Sequence, residues 1–199
     1  MSRLPVGILL AAGKSERFGS NKLLHPVVNN VPMLMVSAQK LASVLPGSIA
    51  VINPVLVKYQ TELESLGMKV VINEQADQGM GSSIACGIRA SDDASGWLIA
   101  LADMPYIKAG TISLLAKKLQ EGVSIIAPEV NQQRGHPVGF SQRYKNELLA
   151  LDEDVGARHI LSRHQDQVEL IITDDTGVIE DVDKQGDLRE ENKVRVDSE

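Results

Sequence analysis

Six short apolar runs recur along the chain: VGILLA (6–11), SIAVI (48–52), KVVI (69–72), WLIALA (97–102), VSIIAP (123–128) and VELIIT (168–173). Their hydrophobicity is continuous, not alternating, which predicts strands buried on both faces, as in a central parallel sheet. Stretches of helical period lie between them. PMLMVSAQKLASVL (32–45) opens on a proline suited to a first helical turn, and SSIACGIRAS (82–91) follows a glycine-rich turn. AGTISLLAKKLQEG (109–122) closes on a glycine suited to a helix C-terminus, with Lys117 and Lys118 near that end. Alternating strands and helices predict βαβ units and an α/β fold of three layers, a mostly parallel sheet with helices on both faces. Ligands of such open sheets sit beyond the carboxyl ends of the strands, so the loops after the apolar runs are where chemistry is expected.

Composition narrows the picture. With 199 residues, 43% of them hydrophobic and 23% charged, the chain has enough apolar material for one domain, expected over 1–190. The charged stretch QGDLREENKVRVDSE predicts a solvated, flexible tail over 191–199. A net charge of −6 and the lack of any long basic run exclude nucleic acid as the main partner. A small anion needs only a local pocket of positive charge. The single cysteine, Cys86, excludes an internal disulfide and reads as a small core residue, which fits a cytoplasmic protein. LPVGILLAAG is too short and too weakly flanked for a signal peptide, and no apolar stretch reaches the roughly 20 residues that cross a bilayer, so no membrane partner is expected.

The loop after the first run, AAGKSERFGSNK (11–22), places Gly13, Lys14, Arg17, Gly19 and Lys22 within ten positions. The glycines let backbone N–H groups approach an anion, and Arg17 and Lys22 supply charge-assisted bonds to phosphate oxygens. A nucleoside triphosphate is the natural guest. A Walker A loop would need glycine where Ile8 stands, and no G-x-G-x-x-G occurs. Asp103, set just after the fourth run in LIALADMPYI, is placed to ligate Mg²⁺, a hard cation that takes carboxylate and phosphate oxygens together. Asp181 and Asp183, two apart in GVIEDVDKQGDL, share a face of an extended segment and complete a candidate metal site. NEQADQGMGSSIACG brings Asn73, Gly79, Ser82 and Ser83 to a turn that opens a helix, offering N–H groups to an anion or base; Ser82 is also a candidate helix cap.

These motifs together resemble the MobA-like nucleotidyltransferases, which finish the molybdenum cofactor. LLAAGKSERFGSNK resembles their signature L-A-A-G-x-S-x-R-[FM]-G-x-x-K, and Asp103-Met104-Pro105 their D-M-P. The resemblance implies a Rossmann-like fold of the nucleotide-diphospho-sugar transferase type. It implies that Leu10, Ala11, Ala12 and Gly13 face the base and ribose, Arg17 the β- and γ-phosphates and Lys22 the α-phosphate region, with Asn73, Gly79, Ser82 and Ser83 also on the nucleotide. Arg17, Lys22 and Asp103 are then the catalytic set and Asp103, Asp181 and Asp183 the metal set. The D-x-D-T-P-x-D-L pattern is broken here by Lys184-Gln185.

Gly135, His136 and Pro137 match the family's G-H-P-V, which lines the acceptor side. LDEDVGARHIL resembles G-D-x-G-A-R with Glu153 in place of glycine, so Arg158 joins the acceptor set; Asp154 reads equally as a helix cap. Alanine at position 12 is typical of the cytidylyl branch, closest to molybdenum cofactor cytidylyltransferases. The resemblance thus implies Mg²⁺, a nucleoside triphosphate (CTP, with GTP the alternative) and a molybdopterin-type acceptor, with a molybdenum enzyme or its chaperone as recipient. A sugar or polyol phosphate acceptor, and a carrier that does not turn over, are the competing readings.

Overall fold

A computed structural model describes residues 4–13, 21–151 and 156–188. Along the chain come β1 (Val6–Ala11), a hairpin of β2 (Pro26–Val28) and β3 (Val31–Pro32), α1 (Met33–Val44), β4 (Ile49–Ile52), α2 (Gln60–Ser65), β5 (Lys69–Ile72), α3 (Met80–Arg89) and β6 (Gly96–Leu101). After these come α4 (Ala109–Gln120), β7 (Ile125–Val130), β8 (Gln133–Arg134), β9 (Val138–Ser141), α5 (Lys145–Leu149), α6 (Arg158–Arg163) and β10 (Val168–Ile172). The main sheet runs β10-β7-β9-β6-β1-β4-β5, with β8 paired to β7. Strands β4 and β6 flank β1 in parallel, as do β5 on β4 and β10 on β7.

The three-layer expectation holds, and the alternation of side chains shows why. From β1, β4 and β6, Leu9, Ala11, Ala50, Ile52, Leu98 and Ala100 enter one core, beneath Leu34 and Leu41 of α1 and Ile112 and Leu115 of α4. Their neighbours Ile8, Leu10, Ile49, Val51, Trp97 and Ile99 enter the other, against Ile84 and Ile88 of α3, Leu148 of α5 and Ile160 of α6. Continuous apolar runs therefore satisfy two cores at once.

The sheet is mostly parallel, as expected, and mixed: β9 runs antiparallel to both β6 and β7 and separates them. Its sequence, VGFS, is short and carries Gly139, whose missing side chain leaves room for Ile126; an added Cβ would stand 2.6 Å from Ile126 Cγ2. In addition, KVVI and VELIIT are not buried on both faces. They form the edge strands β5 and β10, where Ile72 is 37% and Ile172 83% exposed. Continuous hydrophobicity does not distinguish a central from an edge strand when the outer face lacks a helix.

The order of strands places the site. β1 is followed by β4 on one side and flanked by β6 on the other, so the chain's direction of progress reverses at β1, and the crevice beyond the carboxyl ends of β1 and β6 is the topological switch point. Gly13 and Asp103 emerge there. Residues 191–199, the expected tail, lie outside the described residues.

Candidate active site

The loop that carries Asp103 is pinned from below. The Ala102 N–H donates to Leu10 O at 3.0 Å, Ser37 Oγ of α1 donates to Ala102 O at 2.9 Å, and Lys40 Nζ of the same helix donates to Pro105 O. Met104, Tyr106 and Ile107 are buried around it. Asp103 alone among these residues turns its side chain out of the core.

Lys22 reaches the same point from the other side of β1. It opens a short 3₁₀ turn, Lys22–Leu24, capped by the Asn21 side chain, which accepts from the Leu23 N–H. Leu23 is 4% exposed and anchors the turn in the α1-side core, which leaves Lys22 directed toward the crevice. Its ammonium donates to Asp103 Oδ2 at 2.8 Å and to Asp183 Oδ1 at 2.5 Å. Burial works to lower the Lys22 pKa, but the two carboxylates outweigh it, and the net shift is upward.

The segment after β10 supplies the second carboxylate. Asp175, 1% exposed, accepts from the Lys108 N–H at 2.8 Å and from Thr111 Oγ1 at 2.6 Å, tying the segment to the start of α4. Gly177 then passes so close to Tyr106 that a Cβ would lie 2.4 Å from its carbonyl carbon. Val178 and Val182 are fully buried, and the Val182 N–H donates to Asp103 O at 2.9 Å. Asp181 and Asp183 flank that buried valine and face outward together, as their spacing predicts. Burial, with further contributions from Asp183 and Asp103, raises the Asp181 carboxyl above its ordinary range, although Lys22 and a backbone hydrogen bond oppose the shift.

The turn that breaks the expected Thr-Pro pattern is held by a residue that the sequence did not single out. The Asp187 carboxylate accepts from the N–H groups of Asp183 and Lys184 at 3.0 and 2.9 Å. This bonding between side chain and backbone fixes the turn without proline. A cleft of about 490 Å³ opens beside it, lined by Asp181, Asp183, Lys184 and Asp187.

The 73–83 loop is built differently from expectation. Asn73 is buried, and its amide donates to both Ser82 Oγ and Ser83 Oγ at 3.0 Å while its oxygen accepts from the Gln75 N–H. Ser82 Oγ in turn donates to Gln75 O and Gly79 O. These three side chains are engaged in holding the loop, so the groups that it presents outward are chiefly backbone. Gly79, at φ 101°, provides the sharp entry to α3. Ser82 is not the helix cap: α3 begins at Met80 with Gly79 in that position.

On the remaining side, the Gly135 N–H donates to Pro128 O and the His136 N–H to Val178 O, each at 2.8 Å. A Cβ on Gly135 would lie 2.2 Å from Val178 O, so only glycine permits this approach. His136 Nδ1 is buried and has no hydrogen-bond partner among the described residues. Burial lowers the His136 pKa, and Arg134 and Arg158 add to that effect while Asp103 opposes it. The imidazole is therefore neutral near pH 7, and those charges all lie around it.

The structure thus gathers Gly13, Lys22, Asp103, Asp181, Asp183, His136 and Arg158 about the switch point, with Leu10, Ala11 and Ala12 buried beneath. Lys14, Arg17, Glu153 and Asp154 lie outside the described residues. Among the described residues no three His, Cys, Asp or Glu side chains converge on a single point. Two do: Asp103 and Asp183 meet on the Lys22 ammonium, which shows that their oxygens reach a common cation. That geometry and the all-oxygen donor set fit a hard divalent ion.

A carboxylate pair centred on a lysine, beside Gly13 at the switch point of an α/β sheet, is an arrangement suited to a nucleotide or similar polyanion. Residues 7–168 match the family described as the MobA-like NTP transferase domain, and the chain belongs to that family. By family it is a nucleotidyltransferase. It is similar to purine catabolism protein PucB of Bacillus subtilis (27% identity over 195 residues, 89% of this chain and 91% of that one). It is also similar to nicotine blue oxidoreductase of Paenarthrobacter nicotinovorans (29% over 192 residues, with the same two coverages). The crystal structure of Rv0371c from Mycobacterium tuberculosis H37Rv superposes with a TM-score of 0.83 at 23% identity, covering 94% of this chain and 96% of that one. A complex of that protein with manganese superposes at 0.70, with 20% identity over 86% and 89%. Among the described residues no helix is long and apolar enough to cross a membrane.

Proposed function

We propose that the protein transfers CMP from CTP to the phosphate of a molybdopterin-type acceptor, releasing pyrophosphate. The observation that carries this reading is the meeting of Asp103, Asp183 and Lys22 beyond the carboxyl ends of β1 and β6. Choice of CTP rests on Ala12 in the L-A-A-G pattern, and choice of acceptor on the G-H-P-V and G-A-R resemblances.

Asp103 and Asp183 would hold a divalent cation, Mg²⁺ by preference, with Asp181 beside them; that a structural neighbour was solved in complex with manganese supports a divalent ion. Such an ion supplies Lewis-acid neutralisation of charge on the reacting phosphates. Lys22 then leaves the carboxylates for the α-phosphate region, and Arg17 takes the departing β- and γ-phosphates. Leu10, Ala11, Ala12 and Gly13, with the backbone of the Asn73–Gly79 loop shaped by Ser82 and Ser83, hold base and ribose. Gly135, His136, Pro137 and Arg158 face the acceptor.

An oxygen of the acceptor phosphate forms the new bond to the α-phosphorus, the α–β bridging bond breaks, and its electrons leave on pyrophosphate. A phosphate monoester has its second pKa near 6 and is already largely ionised at neutral pH, so no strong general base is needed. Neutral His136 is accordingly a positioning group. Rate enhancement comes from alignment and charge stabilisation.

The test is pyrophosphate release with Mg²⁺ and molybdopterin, supplying CTP, GTP, ATP and UTP in turn. Release with CTP alone supports the proposal, release with GTP moves the protein to guanylyl transfer, and release only with a sugar or polyol phosphate replaces the acceptor. Nucleotide and acceptor binding without release identifies a carrier for a molybdenum enzyme or its chaperone.

A further inference from the structure

Helix α1 is bonded to both halves of the Lys22–Asp103 pair. At its first turn the Met33 N–H donates at 3.0 Å to the carbonyl of His25, the residue that closes the Lys22–Leu24 turn. Leu23 of that turn lies in the same core as Leu34, Ala38 and Leu41 of the helix. One turn further along α1, Ser37 Oγ donates to Ala102 O at 2.9 Å, and after another turn the Lys40 ammonium donates to Pro105 O. Ser37 and Lys40 are three apart and so share a face of the helix. The carbonyls that they hold are also three apart and bracket Asp103.

Ala102, Met104 and Pro105 are buried, so the carbonyls beneath this turn need donors from within the protein. Lysine meets that need with a long apolar stem and a charge-assisted bond, stronger than one from a neutral donor. A helix packed into a core is stiff, and a turn tied to it at two points cannot tilt without breaking one tie. The opposite side of the turn is held separately, by the bond from the Val182 N–H to Asp103 O at 2.9 Å. That segment carries Asp183, so the approach of Asp103 to Asp183 is set by backbone, and its approach to Lys22 is set through α1.

We infer that α1 is the splint that fixes the separation of Lys22 and Asp103, and that Lys40 is the positioning residue through which it holds the Asp103 turn. The oxygens of Asp103 and Asp183 must converge to share any cation, so a loosened turn weakens their hold on an ammonium and on a divalent ion alike. The effect on metal rests on the proposed function, whereas the splint stands on the bonds of α1 to the two turns.

The experiment makes two measurements on wild type, Lys40→Met, Lys40→Arg and Ser37→Ala, with melting temperatures alongside. Mn²⁺ affinity is read by calorimetry without nucleotide, and proton exchange of the Lys22 ammonium by NMR of ¹⁵N-lysine-labelled protein. The splint predicts Mn²⁺ bound about tenfold more weakly by Lys40→Met, most of that affinity regained by Lys40→Arg, and a loss in Ser37→Ala, where no charge changes. It predicts Lys22 exchange faster by about fivefold or more in Lys40→Met and close to the wild-type rate in Lys40→Arg. Removal of a positive charge alone tightens Mn²⁺ binding, so tighter binding by Lys40→Met overturns the proposal, as does an equal loss in Lys40→Met and Lys40→Arg. A lower melting temperature with both readouts unchanged marks a merely structural lysine and overturns it too. Absence of Mn²⁺ binding to the wild type, with faster Lys22 exchange in Lys40→Met, would sustain the splint and refute the metal site. Mn²⁺ binding that ignores Lys40, with unaltered Lys22 exchange, would do the reverse.

Discussion

The Lys22 ammonium lies 2.5 Å from an Asp183 oxygen and 2.8 Å from one of Asp103, so one cation joins the first loop, the loop after β6 and the segment after β10. These three segments are far apart in sequence, and each is anchored independently: Leu23 in the core, Ala102 on Leu10 and α1, Val182 in the core and on Asp103 O. The charges meet because the scaffold delivers them, and under the proposed function the lysine holds the place of the divalent cation that the carboxylates would take.

Replacement of Lys22 tests that substitution of one cation for another. In Lys22→Met the two carboxylates lose the ammonium between them, and a divalent ion no longer competes with it. Mn²⁺ alone is expected to bind about tenfold more tightly, while CTP with Mg²⁺ binds about tenfold more weakly for want of a charge-assisted bond to phosphate. Calorimetric titration of each ligand separates the two effects, and changes of the same sign would contradict the exchange.

Gly135 is where backbone meets backbone. Gly135→Ala sets a Cβ against Val178 O at 2.2 Å, and a carbonyl cannot rotate away as a side chain would. A loss of roughly 1–3 kcal/mol is expected, or about 3–10 °C in melting temperature, together with weaker metal binding as the 178–183 segment shifts. Melting curves and Mn²⁺ titration read both, and an unperturbed variant would show that the segment is free to give way around residue 178.

Asp187 positions rather than binds. Asp187→Asn keeps a side-chain oxygen for the Asp183 and Lys184 N–H groups, whereas Asp187→Ala leaves both without that acceptor. The alanine variant is expected to lose roughly tenfold in Mn²⁺ affinity and the asparagine variant much less. Equal losses in the two would point to the charge of Asp187, not to its hold on the turn.

The four elements that a single period or turn rule defines were the most legible. β1 and β5 fall on the runs VGILLA and KVVI as expected, and α1 and α4 lie within one or two residues of their predicted ends. β9 was hidden because VGFS is brief and glycine-containing, and its antiparallel direction depends on a partner strand, not on local sequence. The site residues were legible as types, since loops after strands carry charge for a reason, but their mutual distances were not. Nothing local indicates that Asn73 spends its amide on Ser82 and Ser83, or that Asp187 replaces a proline in holding the turn.

The raised Asp181 carboxyl makes stability depend on pH. Its proton is held more tightly in the folded than in the unfolded chain, so its ionisation on raising the pH from the ordinary carboxylate range through the elevated pKa removes stability. Asp181 faces outward and is only partly desolvated, so the effect is small: Asp181→Asn raises the melting temperature at pH 7 in metal-free buffer by up to about 4 °C, and the gain vanishes below the ordinary carboxylate range. Saturating Mn²⁺ reverses the order, because only the wild type gains the full benefit of the ion. A stabilisation independent of pH would contradict partial desolvation and the neighbouring carboxylates as its cause.

The decisive measurement is single-turnover pyrophosphate release from CTP with Mg²⁺ and molybdopterin, comparing wild type with Asp103→Asn. The backbone around Asp103 is bonded through Ala102 and Val182, so the substitution leaves the loop in place and changes only the side chain that meets Lys22. One equivalent of pyrophosphate is expected from the wild type, and a rate lower by about a hundredfold or more from a variant with an unchanged melting curve. Release at the wild-type rate from folded Asp103→Asn would show that the carboxylate does not hold the reacting phosphates' cation, and the proposed transfer chemistry would fall with it.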